Sequence, residues 1–201
     1  MALNFCNNNS LSAITTIPAS ISGGGLNLIS TQTASSSSSL SFTTGIDSTY
    51  KEYVFKFYNM HAGTDSTQFE FQGSTNGGSS YGVTITSSNF FSLHSEADTE
   101  TNLSYATSHD LAQSTDYQNI SENNGIENDE CVSGYLHLFE PSSDTFVKHW
   151  IYVSNYNSRD DYTRNRFGAG YFNTTSAINA IDFKMSSGNI DSGVIKLYGV
   201  S

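Results

Sequence analysis

The strongest constraint on the fold is the alternation of apolar and polar residues at the end of the chain, between Asn179 and Val200. Every second residue is apolar in Ile181–Met185, and the same period returns in Val194–Tyr198. A period of two places apolar side chains on one face of a β-sheet and polar ones on the other. The intervening segment Ser186–Gly193 is rich in Ser, Gly, Asn and Asp, which favour turns. We therefore predict an antiparallel strand pair whose apolar residues close the core and whose charged residues face solvent, namely Asp182, Lys184 and Lys196.

Short alternating runs of this kind recur along the chain and predict an all-β protein. Of its 201 residues, 13 are Phe and 12 are Tyr, and both types favour strands. Roughly eight to ten short strands separated by turn signals are typical of a β-sandwich. We predict a jelly-roll-like antiparallel β-sandwich over residues 26–201, with strands around the runs Leu26–Thr33, Leu40–Phe42, Tyr53–Phe57, Phe69–Phe71, Val83–Ile85, Phe90–Leu93, Tyr135–Phe139, Val147–Val153 and Gly168–Phe172.

Residues 1–25 differ from the rest and are interpreted as an N-terminal arm. The segment is polar and irregular, and it ends in the three consecutive glycines of Gly23–Gly25, which form a flexible joint. A disordered arm and an arm that orders against a partner fit this sequence equally well. In the second case the arm would be held by its scattered apolar residues, which are Leu3, Phe5, Ile14, Ile17 and Ile21.

The charge excludes several classes of partner. The formal net charge is −11, and only eight residues are Lys or Arg, too few to neutralise a row of phosphates. We therefore expect no binding to nucleic acid or to an anionic membrane. No run approaches the ~18 apolar residues of a membrane span. Cys6 and Cys131 stand far apart without metal-site spacing, which predicts two free thiols and no zinc.

No pattern of catalytic residues is present. The five histidines match no nucleophile or metalloprotease motif, and structural roles explain them better. The densest carboxylates, Glu127–Glu130 and Asp160–Asp161, lie in polar segments and are interpreted as solvated loops rather than as a Ca²⁺ site or a glycosidase pair. The long polar stretch from His94 to Cys131 is interpreted as an elaborated loop system. We expect no cofactor and no metal.

One segment combines aromatic side chains with the only local concentration of positive charge. Tyr and Arg are common in protein interfaces, and aromatic rings also stack on sugars. The candidate contact residues for a glycan or a protein are Tyr156, Arg159, Tyr162, Arg164, Arg166 and Phe167. An edge hairpin whose charges prevent aggregation explains the same residues equally well.

Three segments resemble a family of virion structural proteins from tailed bacteriophages, particularly aquatic ones. They are Gly45–Phe57, Glu140–His149 and Phe183–Gly199, and the resemblance extends over about residues 26–201. It implies a jelly-roll-like sandwich on the particle surface, commonly in trimers, and it implies no catalytic residue.

Together these features predict a non-enzymatic phage virion structural protein. We expect a capsid decoration or cement protein whose arm attaches to the major capsid protein or to another virion protein. The alternative is a tail-fibre or receptor-binding tip that contacts a host surface glycan. A weaker alternative is a glycan-cleaving enzyme that uses Asp160 or Glu127.

Overall fold

The computed structural model describes residues 25–201, which form twelve β-strands. Within this range there is no helix, and so none that could cross a membrane. The strands are β1 Leu26–Ser37, β2 Leu40–Phe42, β3 Glu52–Ala62, β4 Phe69–Ser74, β5 Ile85–Ser95, β6 Thr101–Tyr105, β7 Gln118–Asn119, β8 Cys131–Phe139, β9 Lys148–Ser158, β10 Tyr162–Phe172, β11 Ala180–Met185 and β12 Ile190–Val200.

The strands form two antiparallel sheets. The large sheet has the order β1-β12-β3-β8-β9-β10-β5-β6, and the small sheet has the order β2-β11-β4-β7. This arrangement confirms the predicted all-β, jelly-roll-like sandwich. The arm lies almost entirely outside the described residues, and so do its proposed contact residues Leu3, Phe5, Ile14, Ile17 and Ile21.

Aromatic side chains fill the space between the two sheets. Phe183 of β11 is fully buried at the centre of this core. Its ring centroid lies 5.4–6.2 Å from the rings of Phe42, Phe55, Phe69 and Phe71. Edge-to-face and offset pairs at these distances stabilise a core beyond the burial of their area. Phenylalanine rings therefore form the centre of the core, and aliphatic residues, tyrosines and Trp150 surround them.

The predicted terminal strand pair is wrong, although its two strands exist. β11 pairs with β2 and β4 in the small sheet, whereas β12 pairs with β1 and β3 in the large one. The segment between them crosses from one sheet to the other and includes Gly188 at φ +69°. The apolar residues do close the core as predicted, because Ile181, Ile195 and Leu197 are fully buried.

Asp182 is also not on a solvent face, since only 3% of its surface is exposed. The outer side of the small sheet is covered by Tyr117, whose hydroxyl donates to Asp182 Oδ2 at 3.0 Å. Lys184 lies 4.2 Å from the centroid of the Tyr117 ring and 3.3 Å from Glu70 Oε1. Burial raises the pKa of Glu70, and burial together with Asp182 raises the pKa of Tyr117. A half-buried polar layer therefore replaces the predicted solvated face.

One smaller detail differs from the sequence prediction. Of the run Val83–Ile85 only Ile85 lies in a strand, where it begins β5, and the same strand continues through Phe90–Leu93.

The middle of the chain forms the expected loop system, with the short strands β6 and β7 inside it. Residues 106–122 cover part of the inner side of β5, β9 and β10, next to the part where Phe71 of the small sheet packs against Trp150 and Phe172. Two backbone hydrogen bonds join this segment to β5. Ser87 N–H donates to Leu111 O at 2.9 Å, and Ala106 N–H donates to Asn89 O at 2.8 Å. On β9, the Tyr152 hydroxyl donates to Asn119 O at 2.7 Å. The loop system is thus a second cover of the large sheet.

Candidate functional site

The β9–β10 hairpin carries the contact residues predicted from sequence, but its alternation turns half of them inward. Tyr156 and Arg166 have 1% and 0% of their surface exposed. Arg164 is directly opposite Tyr156 in the register and points the same way. The prediction that Tyr156 and Arg166 belong to an exposed contact surface is therefore wrong. Residues on the inner face of a strand cannot reach a partner while the loop system covers them.

The inward arginines form a buried ionic cluster with the loop system. Glu122 contacts Arg164 Nη1 through Oε1, and its Oε2 lies 2.7 Å from Arg166 Nη2. The same Oε2 is 3.0 Å from His109 Nε2. One carboxylate therefore serves two guanidinium groups and an imidazole. Because its partners lie on β10 and on the loop, this carboxylate ties the loop to the sheet.

His109 stays neutral in this cluster. Burial and the nearby Arg166 and Arg164 lower the pKa of His109 to about 4. The nearby Asp110 acts in the opposite direction but does not reverse the shift, because burial disfavours the charged imidazolium. His109 therefore acts as a neutral hydrogen-bonding group at neutral pH.

The Arg166 guanidinium also lies near the hydroxyls of Tyr152 and Tyr156. Burial raises the pKa of both tyrosines, and the positive charge of Arg166 opposes that rise. The Ser154 hydroxyl, on the same side of β9, donates to Ile120 O at 2.6 Å. These contacts fix the loop against the inner face of β9 and β10. The cluster therefore has a structural role, because it attaches the loop system to the large sheet.

The other predicted contact residues lie at the surface and are partly engaged within the chain. Arg159 Nε is 3.4 Å from Asp65 Oδ1, and the Tyr162 hydroxyl donates to Glu100 Oε2 at 2.9 Å. Phe167 points away from the core and stacks on Phe90 with ring centroids 5.0 Å apart and planes 13° apart. The contact role of Arg159, Tyr162 and Phe167 stays a prediction.

Phe167 is part of a larger surface, the outer face of β8, β9, β10, β5 and β6. We name this surface the aromatic face. Its central row crosses all five strands in direct register. The row consists of Tyr135, Val153, Phe167, Phe90 and Tyr105. Residues paired directly across strands lie about 4.5–5.5 Å apart, so the row is continuous.

The aromatic face is exposed. Five of its large apolar side chains are among the most accessible ones in residues 25–201: Leu103 at 73%, Tyr105 at 52%, Ile151 at 47%, Phe90 at 45% and Tyr135 at 39%. Single exposed apolar residues are ordinary, but a contiguous set marks an interaction surface. Clustering therefore separates this face from the isolated exposed side chains elsewhere.

The aromatic face also lacks formal charge. On the five strands that form it, no outward position is Asp, Glu, Lys or Arg. Its polar positions are Ser, Thr, Asn, His and Cys, for example Asn155 and Asn165. Ionic groups begin at its borders, where Glu52 of β3 contacts His137 Nδ1. In a chain with a net charge of −11, this is an unusual surface.

A shallow depression of about 580 Å³ lies at one end of the aromatic face. Its wall includes Phe139, Ile151 and the pair His149–Tyr171, whose ring centroids are 5.9 Å apart. The lining is mostly apolar. A ring or an aliphatic side chain from a partner fits a depression of this kind.

Cys131, His61 and Asp191 lie close together on another part of the surface and include residue types used in nucleophilic catalysis. Cys131 and His61 are register neighbours, and Asp191 Oδ2 lies 3.6 Å from His61 Nδ1. His61 Nε2, however, is 3.0 Å from the Glu127 carbonyl, and burial raises the pKa of the Cys131 thiol. A raised pKa keeps the sulfur protonated, whereas a nucleophile needs the thiolate. The trio is therefore not arranged as an activated thiol.

The carboxylates considered for metal or glycan chemistry have local partners. Glu130 is 7% exposed and accepts the Glu127 backbone N–H at 2.7 Å, so it closes a turn rather than remaining solvated. Asp160 accepts a hydrogen bond from the Asn123 amide. Among residues 25–201, no group of three or more His, Cys, Asp or Glu is placed to hold a metal ion.

Sequence reasoning missed both the buried cluster and the aromatic face. One signal for the cluster was available, because Arg164 and Arg166 share a parity with Gly168 and Gly170, and glycines leave room for large inward side chains of a neighbouring strand. The aromatic face depends on strand order, which no local pattern contains. Comparisons with protein-family models, with curated proteins and with solved structures returned no match.

Proposed function

We propose that this chain is a non-enzymatic structural protein of a tailed-bacteriophage particle. It is displayed on the particle surface as a capsid decoration or cement protein, and the homotrimer implied by the resemblance is its assembled form. The observation that carries the proposal is the aromatic face, because a broad uncharged apolar surface suits association rather than turnover. The resemblance over residues 26–201 supplies the virion context.

The shape of the surface also favours a structural role. Small-molecule sites are usually concave clefts that bury most of their ligand. The aromatic face is an extended sheet surface, and its depression of about 580 Å³ is open and shallow. A surface of this form is suited to a protein partner.

The arm is proposed as the attachment to the major capsid protein or to another virion protein. Gly25, where the arm meets the sandwich, lies beside Ser201 at the β1 edge of the large sheet. The aromatic face occupies the opposite side of the same sheet order, from β8 to β6. Attachment by Leu3, Phe5, Ile14, Ile17 and Ile21 therefore leaves the aromatic face accessible.

Quantitative mass spectrometry of purified particles tests this function. We expect this protein in hundreds of copies per particle, the order of magnitude that a symmetric capsid coat requires. A variant lacking residues 1–24 should fold and stay off the particle, whereas Leu28→Glu, in the sandwich, should bind normally. Absence of the protein from particles contradicts the proposal, and full occupancy by the truncated variant contradicts the role of the arm.

The second candidate is a tail-fibre or receptor-binding tip that binds a host glycan. The observation in its favour is that the exposed rings of Tyr105 and Tyr135 lie on the same face as the amides of Asn155 and Asn165. Rings stack on sugar faces, and amides bind hydroxyls. A glycan array with purified protein tests it: binding that Tyr105→Ala abolishes and Tyr58→Ala preserves would favour this candidate over decoration.

A further inference from the structure

The charge distribution identifies the kind of partner that fits the aromatic face. Each copy of the chain carries a formal charge of −11, so two copies repel each other over most of their surfaces. A surface that binds a strongly basic partner would carry acidic residues for charge complementarity, but the face contains none. A surface without formal charges is where two copies can meet without burying ionic groups. The face therefore fits another copy better than a charged partner.

The size of the face matches what a specific contact requires. Five strands at a spacing of about 4.8 Å, each about 9 residues long at about 3.3 Å per residue, cover on the order of 700 Å². A standard protein–protein interface buries about 800 Å² on each partner. The aromatic face is thus close in size to one side of a standard interface.

The face also contains a preorganised centre. Phe90 and Phe167 stack on each other in the unpartnered chain, with planes 13° apart. Ile151 and Tyr105 flank this pair along β9 and β6 and are half exposed. Rigid aromatic residues at the centre of a patch commonly supply most of the binding energy.

We propose that the aromatic face is the surface through which copies of this chain associate with one another. The inference rests on the proposed function, which makes the protein a repeated subunit, and it names the surface that forms the subunit contact. In a closed trimer the face of every copy turns towards the common axis. In a two-fold contact the row from Tyr135 to Tyr105 packs against its own copy.

Sedimentation velocity of the purified full chain over a range of concentrations tests the inference. The wild type should sediment as an oligomer whose mass gives the number of copies. Ile151→Glu and Leu103→Glu should each weaken association at least 100-fold, because each places a charge inside the contact. Leu28→Glu is the matched control, since Leu28 is 57% exposed on β1 of the same sheet but outside the face, and it should sediment as the wild type does.

Three outcomes would overturn the inference: a monomeric wild type at all concentrations, an oligomer that survives both substitutions on the face, or an equal loss with Leu28→Glu. Circular dichroism melting of each variant identifies misfolding, which exposed positions should not cause. Failure is separable from failure of the proposed function. A protein that decorates particles but is monomeric in solution retains the function and loses the inference, whereas an oligomer absent from particles does the reverse.

Discussion

At the scale of single residues, Glu122 matters most for keeping the loop system in place. It is the carboxylate shared by Arg164, Arg166 and His109, and its own side chain is 16% exposed. Removal of one partner of a buried ion pair costs more than the pair contributes, because the remaining charge is left unpaired. Protonation of His109 would add a third positive charge beside the two arginines. The stability of the protein should therefore depend on pH through this histidine.

We expect the free energy of unfolding to fall as the pH is lowered from 6.5 to about 4. The pKa of His109 is about 4 in the folded chain and 6.5 in the unfolded one, so the unfolded chain binds more protons in this window. The loss from this residue amounts to at most about 3 kcal/mol. Urea unfolding at a series of pH values measures it.

His109→Gln should remove this part of the pH dependence, because glutamine does not titrate. His149→Gln provides the control, since His149 is exposed on the aromatic face. Equal slopes of unfolding free energy against pH for the wild type and His109→Gln, between pH 6.5 and 4, would rule out His109 as the cause.

At the scale of elements, β10 is shaped by what its neighbour β9 carries. Gly168 and Gly170 lie opposite Tyr152 and Trp150 in the register. These two large rings stack at 6.0 Å between centroids and lie over the glycines. The absence of side chains at these two inner positions of β10 thus makes space for aromatic side chains from β9. The outer face of the same strand is left to Phe167 and Ala169.

Gly168→Ala should destabilise the protein by about 1–3 kcal/mol, the usual cost of inserting a methyl group into a packed site. A Cβ at this position would lie 2.7 Å from the Tyr152 hydroxyl oxygen and closer to the ring itself. Ala169→Ser, on the exposed side of the next residue, should change stability by less than about 0.5 kcal/mol. Thermal unfolding compares them, and an unchanged melting temperature for Gly168→Ala would contradict the packing described.

The strands also explain which parts of the fold sequence alone can predict. Alternation identifies a strand and its two faces, and it placed Ile181, Phe183 and Leu197 in the core correctly. It contains no information on pairing, so β11 and β12 were joined in one sheet although they belong to two. It also does not tell which face of a strand a distant segment covers, so it assigns Arg166 to the surface although this residue is buried. Burial by a distant segment such as the loop system appears only in the folded chain.

At the scale of the whole molecule, charge and surface are distributed separately. The net charge of −11 makes copies repel each other, and the uncharged aromatic face is where we propose that they meet. Self-association is then limited by long-range repulsion rather than driven by ion pairs. Salt shortens the range of such repulsion, from about 10 Å at 0.1 M to about 3 Å at 1 M.

Self-association should therefore become several-fold stronger as the salt concentration rises. An interface made of ion pairs would respond in the opposite direction. Sedimentation equilibrium at low and high sodium chloride concentration measures the change. Weaker association at high salt would show that charged residues outside the aromatic face form the contact.

The neighbouring positions of Gly25 and Ser201 have a mechanical consequence. Leu26 pairs with Val200, and the Asn27 side chain donates to Ser201 Oγ at 3.1 Å, so both ends leave the sandwich at one corner. A force that pulls these ends apart acts across the β1–β12 ladder and opens its hydrogen bonds one after another, starting at the corner. Strands opened in this way yield at much lower force than strands that must slide past each other. A load carried along the arm would thus peel β1 from the sheet edge before it disturbed the phenylalanine core.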